Sequence, residues 1–272
     1  MFDPPPSIRR DPEGLKRVLS RLVEGVRAFL GESCVGVYLQ GSIATDGFDD
    51  HSDIDFVVAV RDELSSATRA RLNAFHAELF GHPCYWARHL EGSYATLDDL
   101  ATLPPPRREL WYLDHGATTL SRSDHDHFLA VLWTLRERGV TLIGPPLDTL
   151  VPVIPSELLI EETRDTMRWW GQRILDDPKE MTQLWYAAFA VMNYCRMAHT
   201  LVTGEVQSKR HGVSWAREVM RPKAGEDSDW PALIELAQSA RREPWDRLLA
   251  EADAELLEQT KAFVRDVLTR WT

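Results

Sequence analysis

The residues best placed to do chemistry are Gly41-Ser42 and, nine residues later, Ser52-Asp53-Ile54-Asp55-Phe56. Gly41 lets the backbone come close to a ligand, and the N–H groups of such a turn can cradle phosphate oxygens. Ser42 and Ser52 add hydroxyl donors. Asp53 and Asp55 stand two apart in an apolar run that reads as a strand, so both carboxylates project from one face. Two like charges there are costly unless a cation neutralises them. Mg²⁺, a hard ion that combines one or two carboxylates with phosphate oxygens, suits the pair. Glu91, late in the next strand-like segment, is the candidate third carboxylate. It could bind metal, accept the proton of an attacking hydroxyl, or do both in turn. An Asp-x-Asp pair alone most often marks a solvated strand edge. Gly-Ser at this spacing, with strand patterns on both sides, moves the reading to metal-assisted phosphoryl transfer.

These residues must be positioned by a mixed α/β half. Leu15, Val18, Leu19, Leu22, Val23, Val26, Phe29 and Leu30 repeat at helical spacing and stop at Gly31. Strands are expected at Val35–Leu39, Asp53–Val60 and Cys84–Tyr94, with a helix over Ser65–Phe80. After the Pro104–Pro106 break come a strand at Ala117–Leu120, a helix near His125–Arg138 and a strand at Val140–Ile143. From Ser156 the strand patterns cease, and helices are expected at Ser156–Leu175, Lys179–Val202, Ser208–Met220, Pro231–Arg241 and Pro244–Trp271. The division predicts an α/β domain over residues 1–154 and an all-α bundle over 155–272. Ser123-Asp124-His125-Asp126-His127 reads as a cap opening the helix that carries Leu129 and Leu132. Trp111-Tyr112-Leu113-Asp114-His115 is a candidate lining for an acceptor cleft.

Composition sets outer bounds. The 272 residues suffice for two domains with real cores. Lys+Arg 31 against Asp+Glu 42 gives a net charge of −11, which argues against charge-driven nucleic-acid binding and permits a cationic small-molecule partner. The 3 cysteines form no CxxC pair, which suits a reducing compartment. No signal-peptide layout opens the chain, and Leu184–Val202 is interrupted by Asn193, Arg196 and His199. A soluble, cytoplasmic, monomeric protein is expected.

Gly41-Ser42 followed by Ser52-Asp53-Ile54-Asp55 resembles the signature of the nucleotidyltransferase fold shared with DNA polymerase beta. In the second half, Asn193-Tyr194-Cys195-Arg196, Thr203-Gly204-Glu205-Val206-Gln207-Ser208-Lys209 and Ser214-Trp215-Ala216 are similar to the C-terminal domain of the streptomycin/spectinomycin adenylyltransferases. The resemblance runs from about Val35 to Leu236. It implies a nucleotidyltransferase-fold mixed sheet with flanking helices, and a helical domain that completes the nucleotide and acceptor sites. It also implies Mg-ATP as donor, AMP transfer to a small-molecule hydroxyl, an aminoglycoside as the best single acceptor, and pyrophosphate release. Carried over, Gly41, Ser42 and Ser52 would meet the phosphates, Asp53 and Asp55 would bind Mg²⁺, and Glu91 would be the catalytic base as well as a candidate metal ligand. Arg196 and Lys209 would reach the triphosphate.

One stretch departs from the pattern. Where that family places acidic residues against a cationic antibiotic, this chain reads Gln183-Leu184-Trp185-Tyr186-Ala187-Ala188-Phe189. Glu180 or the overall charge could compensate, and Trp185 and Tyr186 could stack on a flatter acceptor or belong to the core. A nucleotidyltransferase with another acceptor (a metabolite, a protein hydroxyl or an RNA end) is the enzyme alternative. A non-catalytic ATP-binding relative is the other, against which the set Asp53, Asp55 and Glu91 counts.

Overall fold

A computed structural model describes residues 2–105, 108–177, 182–221, 230–243 and 245–272. The chain divides into two compact units, Met1–Ile154 and Pro155–Thr272.

The first unit begins with α1 (Pro12–Leu30). Asp11 caps it by accepting the Gly14 N–H at 2.8 Å, Pro12 fills the first turn, and Gly31 ends it at a φ of 57°. Then follow β1 (Cys34–Leu39), α2 (Gly41–Ala44), β2 (Ile54–Val60), α3 (Ser66–Phe80), β3 (Leu90–Thr96), α4 (Leu97–Ala101), β4 (Leu110–Leu113), β5 (Ser121–Ser123), α5 (Leu129–Arg138) and β6 (Val140–Ile143). Among the described residues the strands form one six-stranded sheet in the order β5-β4-β3-β2-β1-β6. β2 and β3 are parallel, joined through α3, and the other pairs are antiparallel. Strand alternation sorts the side chains. Val37, Leu39, Ile54, Phe56, Val58, Leu90 and Tyr94 join the buried stripe of α1 in one core. The opposite face carries Asp55, Val57, Glu91 and Ser93.

The structure revises several expected elements. The third strand does not start at Cys84. Tyr85–Arg88 is a 3₁₀ turn in which Trp86 is fully buried and donates its indole N–H to the carbonyls of Arg10 and Asp11. β4 and α4 lie where no element was expected, and β5 falls at Ser121–Ser123 rather than Ala117–Leu120. α5 starts at Leu129, after Phe128, with no side-chain cap bond. Residues 123–127 are therefore not a cap: Ser123 Oγ accepts the nearby His125 N–H, and the side chains of His125, Asp126 and His127 make tertiary contacts.

The second unit is helical: α6 (Ser156–Asp176), α7 (Leu184–Thr203), α8 (Lys209–Val219), α9 (Trp230–Ala240), α10 (Trp245–Leu248) and α11 (Ala254–Trp271). α7 is its axis. Ala187, Ala190, Val191, Tyr194, Cys195 and Ala198 are buried, and the Tyr194 hydroxyl donates to the Met167 carbonyl of α6 at 2.7 Å. α7 ends at Gly204 with a φ of 72°. The single helix expected over Pro244–Trp271 is two, because Asp253 caps α11 by accepting the Leu256 N–H at 2.7 Å. Among the described residues no helix is long and apolar enough to cross a membrane. The mixed sheet with flanking helices and the helical second part are the architecture expected from the sequence.

His76, on α3, supports the central strands. It is 2% exposed, stacks on Phe56, and its Nε2 is 2.8 Å from the Tyr94 hydroxyl. Burial pushes its imidazole down from 6.5 to about 4. The unfolded chain takes a proton below about pH 6.5 that the folded chain refuses until about pH 4, so folding stability present above 6.5 is lost as pH falls through this window. The expected loss is about 3 kcal/mol. His76→Gln should flatten this part of the stability-against-pH curve in urea unfolding; an unchanged slope would refute the assignment.

Candidate active site

The register of the two parallel strands builds the site. Asp55 pairs with Glu91, and Ile54 with Leu90. Both carboxylates therefore rise side by side from the same face, although 36 residues apart in sequence. Just before the strands, the Ile54 N–H donates to the His89 carbonyl at 2.7 Å, which brings Asp53 alongside His89. At the end of β1 the Gln40 N–H donates to the Asp55 carbonyl at 2.9 Å, and the chain then turns at Gly41. Gly41 has a φ of 60°, and a Cβ there would overlap the Asp55 carboxylate. The Gly-Ser turn is thus packed directly against an acidic side chain, a fit that only glycine permits.

Glu91 is the more deeply placed carboxylate. The Tyr112 hydroxyl, from β4, donates to its Oε1, and His125 Nε2 lies 3.4 Å from the same oxygen. Burial pushes the Glu91 carboxyl up, while the Tyr112 hydrogen bond and the His125 charge pull it back toward the ionised form. Burial, and then the charge of Glu91, hold the Tyr112 proton on its phenol. Beside this group Asp126 is buried at 7% exposure. It accepts from Ser93 Oγ at 2.7 Å and from Gln40 Nε2 at 3.1 Å, and burial pushes its carboxyl up. Asp126 ties the end of β1 to β3, just before the Gly41 turn.

Asp53 has different neighbours. Its Oδ1 is 3.1 Å from His115 Nε2 and 3.7 Å from His89 Nδ1. Ser52 is 3% exposed; its hydroxyl accepts the Asp49 N–H at 3.0 Å and donates to Asp49 Oδ1 at 3.1 Å. It shapes the loop that delivers Asp53. Ser42 lies in α2, where its carbonyl accepts the Gly47 N–H at 3.0 Å.

Trp111 does not line this face. It pairs with Tyr94, and the guanidinium groups of Arg69 and Arg122 sit 4.2 and 4.1 Å from its ring centre. Alternation turns Trp111 toward α3 and turns its neighbour Tyr112 toward Glu91, so the expected aromatic was one residue away. His127 is also structural: its Nδ1 accepts the Arg108 N–H at 2.9 Å. Tyr112 and His115 lie in the segment expected to line a cleft, and His125 and Asp126 in the segment expected to be a cap; Gln40 and His89 are site residues to which the sequence assigns no role. The His/Asp cluster at 123–127 and the segment 111–115 were conspicuous in type, but their targets are set by the sheet.

In the helical unit Arg196 and Lys209 meet on one seam between α7 and α8. Arg196 Nη2 donates to Asn193 Oδ1 at 2.9 Å, and Lys209 Nζ lies 4.6 Å from the Phe189 ring centre. A Cβ on Gly212 would strike the Arg196 backbone, so the two helices approach closely there. Trp185 and Tyr186 are half-buried in an aromatic cluster with Trp170 and Phe189; the Trp185 indole donates to Gln183 at 2.6 Å and the Trp170 indole to the Tyr186 hydroxyl at 3.0 Å. Glu180 lies outside the described residues.

The chain thus combines a mixed sheet, whose parallel pair presents carboxylates beside a Gly-Ser turn, with a helical unit. Residues 149–269 match the family described as aminoglycoside adenylyltransferase, C-terminal domain. The chain is 27% identical over 263 residues to an aminoglycoside (3'') (9) adenylyltransferase of Escherichia coli, covering 93% of this chain and 94% of that protein. It is 25% identical over 275 residues to a spectinomycin 9-adenylyltransferase of Campylobacter jejuni, covering 96% and 98%. Its fold matches the crystal structure of a spectinomycin adenyltransferase, AAD(9), from Enterococcus faecialis with ATP and spectinomycin, at a TM-score of 0.66 and 16% identity over 94% of this chain and 99% of that one. The chain is thus similar over nearly its whole length to aminoglycoside and spectinomycin adenylyltransferases.

Gly41→Ala should cost about 1–3 kcal/mol of stability in urea unfolding, from the left-handed backbone and the forced displacement of Asp55. Wild-type stability in that variant would mean that the turn is not held against the carboxylate.

Proposed function

We propose that this protein transfers AMP from ATP to a hydroxyl of an aminoglycoside-class antibiotic and releases pyrophosphate. The observation that carries the reading is the side-by-side Asp55 and Glu91 beside the Gly41 turn, in a chain aligned almost end to end with adenylyltransferases. Asp53, Asp55 and Glu91 form a donor set suited to Mg²⁺, and burial of Glu91 without a full counter-charge is the condition a divalent cation relieves. When bound, the metal would neutralise phosphate oxygens.

The chain's own residues take the remaining roles. Gly41 and Ser42 meet the phosphates, with Ser52 holding the loop. Arg196 and Lys209 add charge for the triphosphate, as guanidinium and ammonium groups commonly do. Glu91 takes the proton from the acceptor hydroxyl, while Tyr112 and His125 keep it ionised. At the start of α7 the described residues offer Trp185, Tyr186 and Phe189 rather than carboxylates, which favours a less cationic acceptor. Spectinomycin, after which the Campylobacter jejuni relative and the Enterococcus faecialis structure are named, is the first acceptor to test.

The test is pyrophosphate release from Mg-ATP across a panel of streptomycin-like, spectinomycin-like and unrelated aminoglycosides. Release should depend on an acceptor, vanish in Asp55→Asn, and fall by about 10²–10⁴ in Glu91→Gln with ATP binding retained. Silence across the panel in a protein that binds ATP would overturn the antibiotic assignment, and near-normal turnover in Asp55→Asn would overturn the site. Tyr112→Phe removes a hydrogen bond that favours the charged carboxylate. Glu91 then holds its proton to higher pH, and the acid limb of the rate profile should move to higher pH. A limb that stays in place would remove Tyr112 from that role.

A further inference from the structure

Asp53, His89 and His115 bring three ligand atoms to one point. Asp53 Oδ1, His89 Nδ1 and His115 Nε2 are separated by 3.0, 3.1 and 3.7 Å. Ions bound at about 2.0–2.2 Å in a tetrahedron hold their ligand atoms about 3.3–3.6 Å apart. The trio therefore matches one triangular face of such a tetrahedron without rearrangement. The protons available do not satisfy it. A carboxylate oxygen accepts only, each neutral imidazole carries one N–H, and a single hydrogen from His115 Nε2 cannot serve both Asp53 and His89 well.

The surroundings hold the trio in place. His89 is fixed by the carbonyl that accepts the Ile54 N–H and by the Tyr85 ring, whose centre is 4.1 Å from its own. Tyr85 is itself anchored by donating to the Asp50 carbonyl at 3.2 Å. His115 sits in the turn after β4, where its N–H donates to Asp114 Oδ1 at 2.9 Å. The side chains of Asp53 and His115 are 37% and 40% exposed, so an ion has access from solvent.

We propose that Asp53, His89 and His115 form a binding site for a borderline-soft divalent cation of the Zn²⁺ class, next to and distinct from the Asp55–Glu91 pair. Two imidazoles and one carboxylate select zinc-like ions over Mg²⁺, which prefers oxygen ligands and retains its water. Three protein ligands leave a fourth position open, as in zinc sites that take water or an incoming oxygen. The inference stands on this geometry and does not require adenylyl transfer. Asp53 is shared with the proposed Mg²⁺ set, so occupancy of the histidine site competes for that carboxylate.

The experiment is titration of the full-length, nucleotide-free protein with Co²⁺, a coloured stand-in for Zn²⁺, in the presence of excess Mg²⁺. One equivalent should bind with the intense visible bands of a low-coordinate, nitrogen-bound ion, and Zn²⁺ should displace it. His89→Ala and His115→Ala should each weaken binding by more than the about 10–100-fold that loss of an outer-shell partner costs. Asp55→Asn, outside the ligand set, should keep the bands even if it abolishes turnover. His115 lies in a partly exposed turn, so its variant should fold, as near-wild-type circular dichroism would verify. Weak octahedral bands indifferent to His89 and His115, loss of the bands in Asp55→Asn, or no binding below millimolar Co²⁺ would each overturn the proposal.

Discussion

Parallel pairing of β2 with β3 is the constraint on which the site depends. It sets Asp55 beside Glu91 and, at the strand entrances, Asp53 beside His89. Acidic side chains that are harmless apart become a concentrated negative field once the strands zip together. Much of the surrounding chemistry answers that field. Tyr112 and His125 reach Glu91, His115 reaches Asp53, and the Gly41 turn packs directly against the Asp55 carboxylate. Side-by-side carboxylates of this kind are an arrangement that a cation would relieve.

The buried Asp126 shows how the scaffold stiffens this arrangement. A carboxylate at 7% exposure persists only where donors replace water, and Ser93 and Gln40 do so from two strands. Gln40 is joined through its backbone to Asp55 and immediately precedes Gly41. The same polar link therefore clamps the Gly41 turn and one acidic strand. On the other face His76 performs the complementary task with stacking and a single hydrogen bond to Tyr94. The helical unit follows another logic: α7 buries small residues, so that neighbouring helices approach closely enough to align Arg196 and Lys209 on one seam.

Legibility in the sequence tracked how local each signal was. Gly41, Ser42, Asp53 and Asp55 lie within one short segment whose spacing itself states the chemistry. Glu91 was legible as a carboxylate in the following strand. Trp111 and Tyr112 stand together in the candidate cleft lining, and the sequence does not separate them because they differ only in which face of β4 they occupy, and β4 is a four-residue strand with no pattern long enough to set its phase. Residues 123–127 carried the composition of a helix cap, but capping is a local bond, and Asp126 found stronger partners across the sheet.

By itself the sequence determined the class of architecture and the acidic motif with its Gly-Ser turn, because these rest on period and spacing along the chain, and its motifs in both halves resemble those of the adenylyltransferases. The tertiary structure alone decided which residues from distant segments complete the site. Tyr112 comes from β4 and His125 and Asp126 from the segment before α5, and His89 and His115 converge on Asp53 from before β3 and after β4. Their convergence is a product of strand register, which is a cooperative property of the whole sheet and is written in no single segment.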